Sequence, residues 1–180
     1  MNINDLLFDK SNADAISTFA KNFDLDDAQA KDAISDLANS LSVGLGQNTR
    51  SKGGLNDLFD ALEKGNHSRY LDNPDLLGRQ ETTQDGNDIL GHIFGNKEVS
   101  RHVARKTAQK TGLDSSLLKK MLPIVASMVM AALSKKALGG RSSTRSRNES
   151  TGFITQMFDR DNDGSMVDDV LGMAFNSMMK

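Results

Sequence analysis

The residues best placed to do chemistry lie near the C-terminus, in the run Phe158-Asp159-Arg160-Asp161-Asn162-Asp163-Gly164-Ser165-Met166-Val167-Asp168-Asp169. Carboxylates at alternate positions of a turning loop converge on one point, and Asp159, Asp161 and Asp163 alternate in this way. Gly164 permits the sharp bend that follows them, and Ser165 offers a backbone carbonyl. Ca²⁺ takes about six to eight oxygens at about 2.3–2.6 Å, so these residues, closed by Asp168 or Asp169, form a candidate cation cage. Five carboxylates stand against one Arg within eleven residues, which makes an empty cage self-repulsive. The competing reading is a helix N-terminus decorated with Asp, which suits its cap and its dipole.

Apolar flanks support a loop between two helices. Phe153, Ile154, Met157 and Phe158 suit an entering helix, and Val167, Val170, Leu171, Ala174 and Phe175 an exiting one. Residues 151–180 therefore read as a helix-loop-helix that resembles an EF-hand. The resemblance implies Ca²⁺ as the cofactor, held by Asp159, Asp161, Asp163, Ser165 and either Asp168 or Asp169. It departs from an EF-hand where Val170 takes the place of the bidentate Glu. Asp has a shorter reach, so binding should be weaker or more Ca²⁺-specific than in a regular loop. A single loop without a second to pair with argues for a structural ion rather than a sensor. Met173, Met178 and Met179 would nonetheless give the last helix an adaptable face.

Elsewhere the chemical inventory is thin. The 180 residues contain no Cys and no Trp, one Tyr and three His. Disulfides, thiolate metal sites, iron–sulfur clusters and a Cys nucleophile are excluded. No G-x-S-x-G elbow appears, and the Gly-rich stretches LGQNTRSKGG and KALGGRSS lack the spacing of a phosphate-cradling loop. His92 in ILGHIFG, with Asp85 or Asp88 upstream, is the nearest approach to an enzyme. On a short helix it reads more simply as a packed or capping histidine. His67 and His102 have no partner at ligand spacing. No catalytic residue is assigned, and a non-enzymatic protein is expected.

The formal charge of −2 conceals three blocks. Residues 1–96 carry 8 Lys/Arg against 16 Asp/Glu, residues 97–147 carry 12 against 2, and residues 148–180 carry 2 against 6. The acidic blocks can face the basic one within a molecule or across a self-association interface. Alternatively the basic 97–147 block, with Lys135, Lys136, Arg141, Arg145 and Arg147 in its linker portion, meets nucleic acid or anionic lipid. Flanking acid would repel a polyanion, which favours the first reading. The start MNINDLLFDK shows no secretory signal. The longest uncharged apolar stretch, Met121 to Leu133, spans 13 residues, short of the ~20 of a membrane helix. A soluble cytoplasmic protein is expected, interacting with itself or with a protein partner.

The elements that must position these groups read as helices throughout, because apolar residues recur at three- and four-residue spacing and strand patterns are absent. Asn12 should cap a helix with Ala15, Ile16, Phe19 and Phe23 inward. Asp26, with Gln29 completing a capping box, should cap one carrying Ala30, Ile34, Leu37, Leu41 and Leu45, weakened by Gly44 and Gly46. Leu55, Leu58, Phe59 and Leu62 form a third, stopped by Gly65. Asn73-Pro74 starts a short turn, and Asp85-Gly86-Asn87 is a turn before a short helix over Ile89, Leu90, Ile93 and Phe94. Asn96 caps a helix with Val99, Val103, Ala104 and Ala108 inward and Arg101, Arg105, Lys106 and Lys110 outward, ended by Gly112. Asp114 caps the longest helix, about 114–138, which is apolar nearly all round and hence central. Pro123 should kink it.

Sliding the chain 88 positions on itself aligns Ala20 with Ala108, Leu25 with Leu113, Asp26 with Asp114, Ala38 with Ala126 and Leu45 with Leu133. The fold class expected is all-α, an array of short and long helices with a pseudo-duplicated helical pair (about 12–66 and 96–138) and the C-terminal helix-loop-helix. Residues 1–138 form the array, and 139–150, GGRSSTRSRNES, a flexible basic linker. The segments ILGHIFG, TGLD and LLKKMLPIVASMVM are similar to the core of the YidB-like bacterial proteins of unknown function. That resemblance covers nearly the whole chain and implies a soluble all-α array without an assigned activity. Ser35 stands where the second copy has Pro123.

Overall fold

Three- and four-residue apolar spacing builds helices along the whole computed structural model, which describes residues 2–50, 52–139, 152–154 and 157–158, and these residues include no strand. In chain order they are α1 (Ile3–Leu7), α2 (Ala13–Asn22), α3 (Asp27–Thr49), α4 (Lys52–Lys64), α5 (Arg69–Asp72), α6 (Gln80–Phe94), α7 (Lys97–Thr111) and α8 (Ser115–Ala137). Short 3₁₀ turns at Lys10–Asn12 and Pro74–Gly78 join α1 to α2 and α5 to α6.

The central element is α8. Every residue from Met121 to Ser134 is buried, and α1, α3, α4, α5, α6 and α7 all pack on it. Each fully buried Leu, Val or Met side chain of this kind contributes about 1.5–3 kcal/mol. By length and composition α8 is apolar enough to cross a bilayer, with a mean hydropathy of 1.6 over its most apolar window, but 78% of that window is buried by its neighbours. The helix continues through Pro123. Proline removes one backbone donor and clashes with the preceding turn, and here the local defect becomes a packing site.

That site overturns one sequence expectation. Asp85-Gly86-Asn87 is not a turn; α6 runs unbroken from Gln80 to Phe94. Gly86 lies so close to α8 that a Cβ there would stand 1.9 Å from the Pro123 carbonyl oxygen. The glycine serves helix contact rather than chain reversal. Ser127 sits one turn on, its Oγ within hydrogen-bonding distance of both the Pro123 carbonyl (3.2 Å) and the Thr82 carbonyl of α6 (3.1 Å). Gly44 repeats the theme. It does not end α3, which extends to Thr49, because a Cβ at Gly44 would meet Ile93 Cγ2 at 2.6 Å and Phe94 Cε1 at 2.8 Å.

The cap signals are obeyed where the side chain is free to act. Asp26 accepts from the Gln29 amide (2.7 Å), and Gln29 returns the bond to the Asp26 amide (3.2 Å). Asn96 accepts from the Glu98 amide (2.8 Å) and Asp114 from the Ser116 amide (2.7 Å). Gly95 and Gly112 end α6 and α7 in the left-handed region, at φ of 65° and 74°. Asn12 behaves differently: it makes no cap bond, and its buried amide donates to the Leu6 carbonyl (2.9 Å). It thereby ties α2 to α1, an element the sequence reading did not anticipate and that Asn2 and Asp5 close with a capping box.

The 88-residue offset falls on helix boundaries. Asp27–Thr49 maps onto Ser115–Ala137, each of 23 residues, so α8 shares with α3 the rank of longest helix.

Candidate functional site

The acidic run is approached from the bundle. Ile154 and Met157 are buried in the core, and the half-buried Phe158 places its Cβ 3.6 Å from where a side chain on Gly46 of α3 would begin. The candidate ligands Asp159, Asp161, Asp163, Ser165, Asp168 and Asp169 lie outside the described residues, as do the expected exiting helix and residues 140–150 of the linker. Among the described residues no group of three His, Asp or Glu could hold a metal ion.

His92 is exposed, which corrects the packed alternative of the expected packed or capping histidine. It sits in the last turn of α6, on the rim of a cleft of about 440 Å³ between α3, α4 and α6, floored by Leu45, Ile89 and Met130. Its carbonyl and that of Ile93 accept from Asn48 Nδ2 (3.0 and 2.8 Å), because the end of α6 is stapled to α3 there. Asp85 is not its partner. That carboxylate lies two helical turns away, about 10 Å along the axis, and is engaged elsewhere.

What engages Asp85 is a cluster that sequence reasoning missed. Tyr70 donates its hydroxyl hydrogen to Asp85, and Arg69 Nη2 reaches Asp85 (3.0 Å), Glu81 (2.8 Å) and the Tyr70 hydroxyl (2.8 Å). The guanidinium also lies 4.9 Å over the Tyr70 ring. Burial, and then the neighbouring Asp85 carboxylate, push the Tyr70 hydroxyl up to about 12. Tyr70 is therefore neutral at any physiological pH and holds α5 to α6 rather than moving protons. These partners are fifteen and sixteen residues apart, a separation that no helical period reveals. Beside them His67 is 7% exposed, and its pKa is lowered because burial disfavours the imidazolium. Its Nδ1 has no hydrogen-bond partner among the described residues, while its ring presses on Gly65, where a Cβ would stand 2.0 Å from Nε2.

The basic block is partly neutralised by the acidic first half. Asp36 of α3 receives Lys110 Nζ (2.7 Å) and Thr107 Oγ1 (2.6 Å) from α7, and Asp72 receives Lys135 Nζ (2.9 Å) from α8. Arg101 and Arg105 point outward as expected, but Lys106 is half-buried and its Nζ reaches no acceptor among the described residues. Lys97, Arg101 and Lys119 border a groove of about 540 Å³ where α6, α7 and α8 meet. Arg101 pairs with Glu98; Lys97 and Lys119 make no ion pair among the described residues.

No curated protein and no solved structure matches the chain. Residues 5–136 match the model for a bacterial protein of unknown function (DUF937), a span that runs from within α1 to the last turn of α8. The chain belongs to that family.

Proposed function

We propose that this chain is a non-enzymatic interaction protein of the bacterial cytoplasm, built on a rigid helical bundle and carrying a structural Ca²⁺ loop at its C-terminus. The alternation of Asp159, Asp161 and Asp163 before Gly164 is the observation that carries the ion, since that pattern aims carboxylates at one point. The burial of Ile154 and Met157 supports it from the other side, because it anchors the entry to the loop on the bundle. The likeness of ILGHIFG and LLKKMLPIVASMVM to the YidB-like proteins fits a role without chemistry. So does the use of Tyr70, Asp85 and Arg69 in holding helices together.

Melting the chain in EGTA and then in millimolar Ca²⁺ tests the reading. Ca²⁺ that binds only the folded loop raises the melting temperature, by an amount that grows with its concentration over Kd. Superimposed melting curves, together with no heat of binding, would remove the ion from the account.

A further inference from the structure

We propose that the basic groove between α6, α7 and α8 is the docking site for this chain's own acidic segment, residues 159–169. The groove presents Lys97, Arg101 and Lys119 from two different helices; Arg101 pairs with Glu98, while Lys119 feels the Asp114 carboxylate without forming an ion pair with it among the described residues. Lys97 and Lys119, which make no ion pair among the described residues, lie at the side of a cleft, where low-dielectric walls focus their field. The N-terminus of the fifteen-residue α7 opens into the same cleft at Asn96 and adds to the positive potential.

The occupant is identified by charge and by reach. Asp159, Asp161, Asp163, Asp168 and Asp169 are the densest run of carboxylates in the sequence. They begin immediately after Phe158, which is seated on Gly46 of α3. Two residues further along α3, Asn48 is bonded to the carbonyls of His92 and Ile93, and Gly91 and Gly95 beside them border the groove. The eleven residues from Asp159 to Asp169 can extend to ~36 Å, ample for that path. Tethering turns the encounter into an intramolecular one with a high effective concentration, an advantage that no free anionic peptide shares. Docking rests on charge alone and does not require the proposed ion. Where the loop does take Ca²⁺, ion and groove draw on the same carboxylates, so docking is read in EGTA.

The absence of cysteine makes the test clean. A nitroxide on Asn162→Cys in the full chain, with ¹⁵N signals read at Lys97, Ser100 and Lys119, reports whether the segment visits the groove. In EGTA at low salt these signals should lose most of their intensity. They should recover near 1 M NaCl, where the screening length falls to ~3 Å, and in the Lys97→Glu/Lys119→Glu double variant. Both lysines are exposed, so that variant should keep the wild-type circular dichroism. Full intensity at the groove in EGTA would overturn the proposal. So would broadening that appears only between labelled and ¹⁵N-labelled molecules in a mixture, which would make a second copy the occupant. A chain that gives no heat with Ca²⁺ yet still broadens the groove loses the ion and keeps the docking. One that binds Ca²⁺ with a silent groove does the reverse.

Discussion

The two long helices, α3 and α8, have the same length and the same Asp cap 88 residues apart, yet they occupy opposite environments. On α3, polar residues line one side, and Asp36 reaches across to Lys110 and Thr107 of α7. The equivalent position on α8 is Ile124, which is buried, as is every neighbour from Met121 to Ser134. A repeated cap and length thus set where a helix begins and ends, while the breadth of its apolar face decides whether it becomes the hub. The close approaches differ in the same way. Gly86 of α6 meets α8 backbone-to-backbone at Pro123, whereas the nearest neighbours of Gly44 of α3 are side-chain atoms of Ile93 and Phe94.

The sharpest way to break that comparison is to give each glycine a methyl group. Gly86→Ala drives a Cβ into a carbonyl that cannot rotate away, and a loss of about 3 kcal/mol or more is expected in urea unfolding. Gly44→Ala forces the buried side chains of Ile93 and Phe94 to shift, but it gains helix propensity worth up to about 1 kcal/mol, so a smaller net loss of about 1–2 kcal/mol is expected. Equal losses would mean that α8 is no tighter a hub than α3.

The caps provide a finer comparison. Asp26→Ala and Asp114→Ala should each cost about 1 kcal/mol by the same measurement, because each carboxylate satisfies one otherwise unpaired amide. The Asp114 effect should shrink in acid, as the pH falls below the unfolded carboxyl value and through the lower folded one. Hydrogen bonds from the Ser116 side chain and amide hold its pKa down, so the folded state releases that proton more readily than the unfolded one.

His67 should give the smallest effect. Burial lowers its folded pKa below 6.5, so the unfolded chain takes up the proton first as the medium is acidified. Its contribution to stability is complete above that value, declines as pH falls through it, and levels off below the folded pKa. The melting temperature of wild type minus that of His67→Leu, followed from pH 8 to 5, should therefore fall on the acid side. A flat difference would place the imidazole in contact with water.

Much of the bundle is legible in the sequence because it is written locally. Asp26, Asn96 and Asp114 cap the helices they precede, and the apolar circumference of α8 announces its burial before any neighbour is known. Features decided between elements are not written that way. Asp85-Gly86-Asn87 carries the local signature of a turn, yet the approach of Pro123, 37 positions on, makes the glycine a contact point inside a helix. Asn12 has the right chemistry for a cap and spends its amide on Leu6. Arg69, Tyr70 and Asp85 come together only because α5 folds back on α6. The acidic loop is the converse case, with its ligand pattern plain in the sequence and its residues beyond those described.

Calorimetric titration of Ca²⁺ into the full chain, alongside the Asp161→Asn/Asp163→Asn variant, tests the proposed ion site most directly. The account predicts one ion bound per chain and no measurable heat in the variant. No heat in the wild-type chain, or equal heats in both, would contradict it.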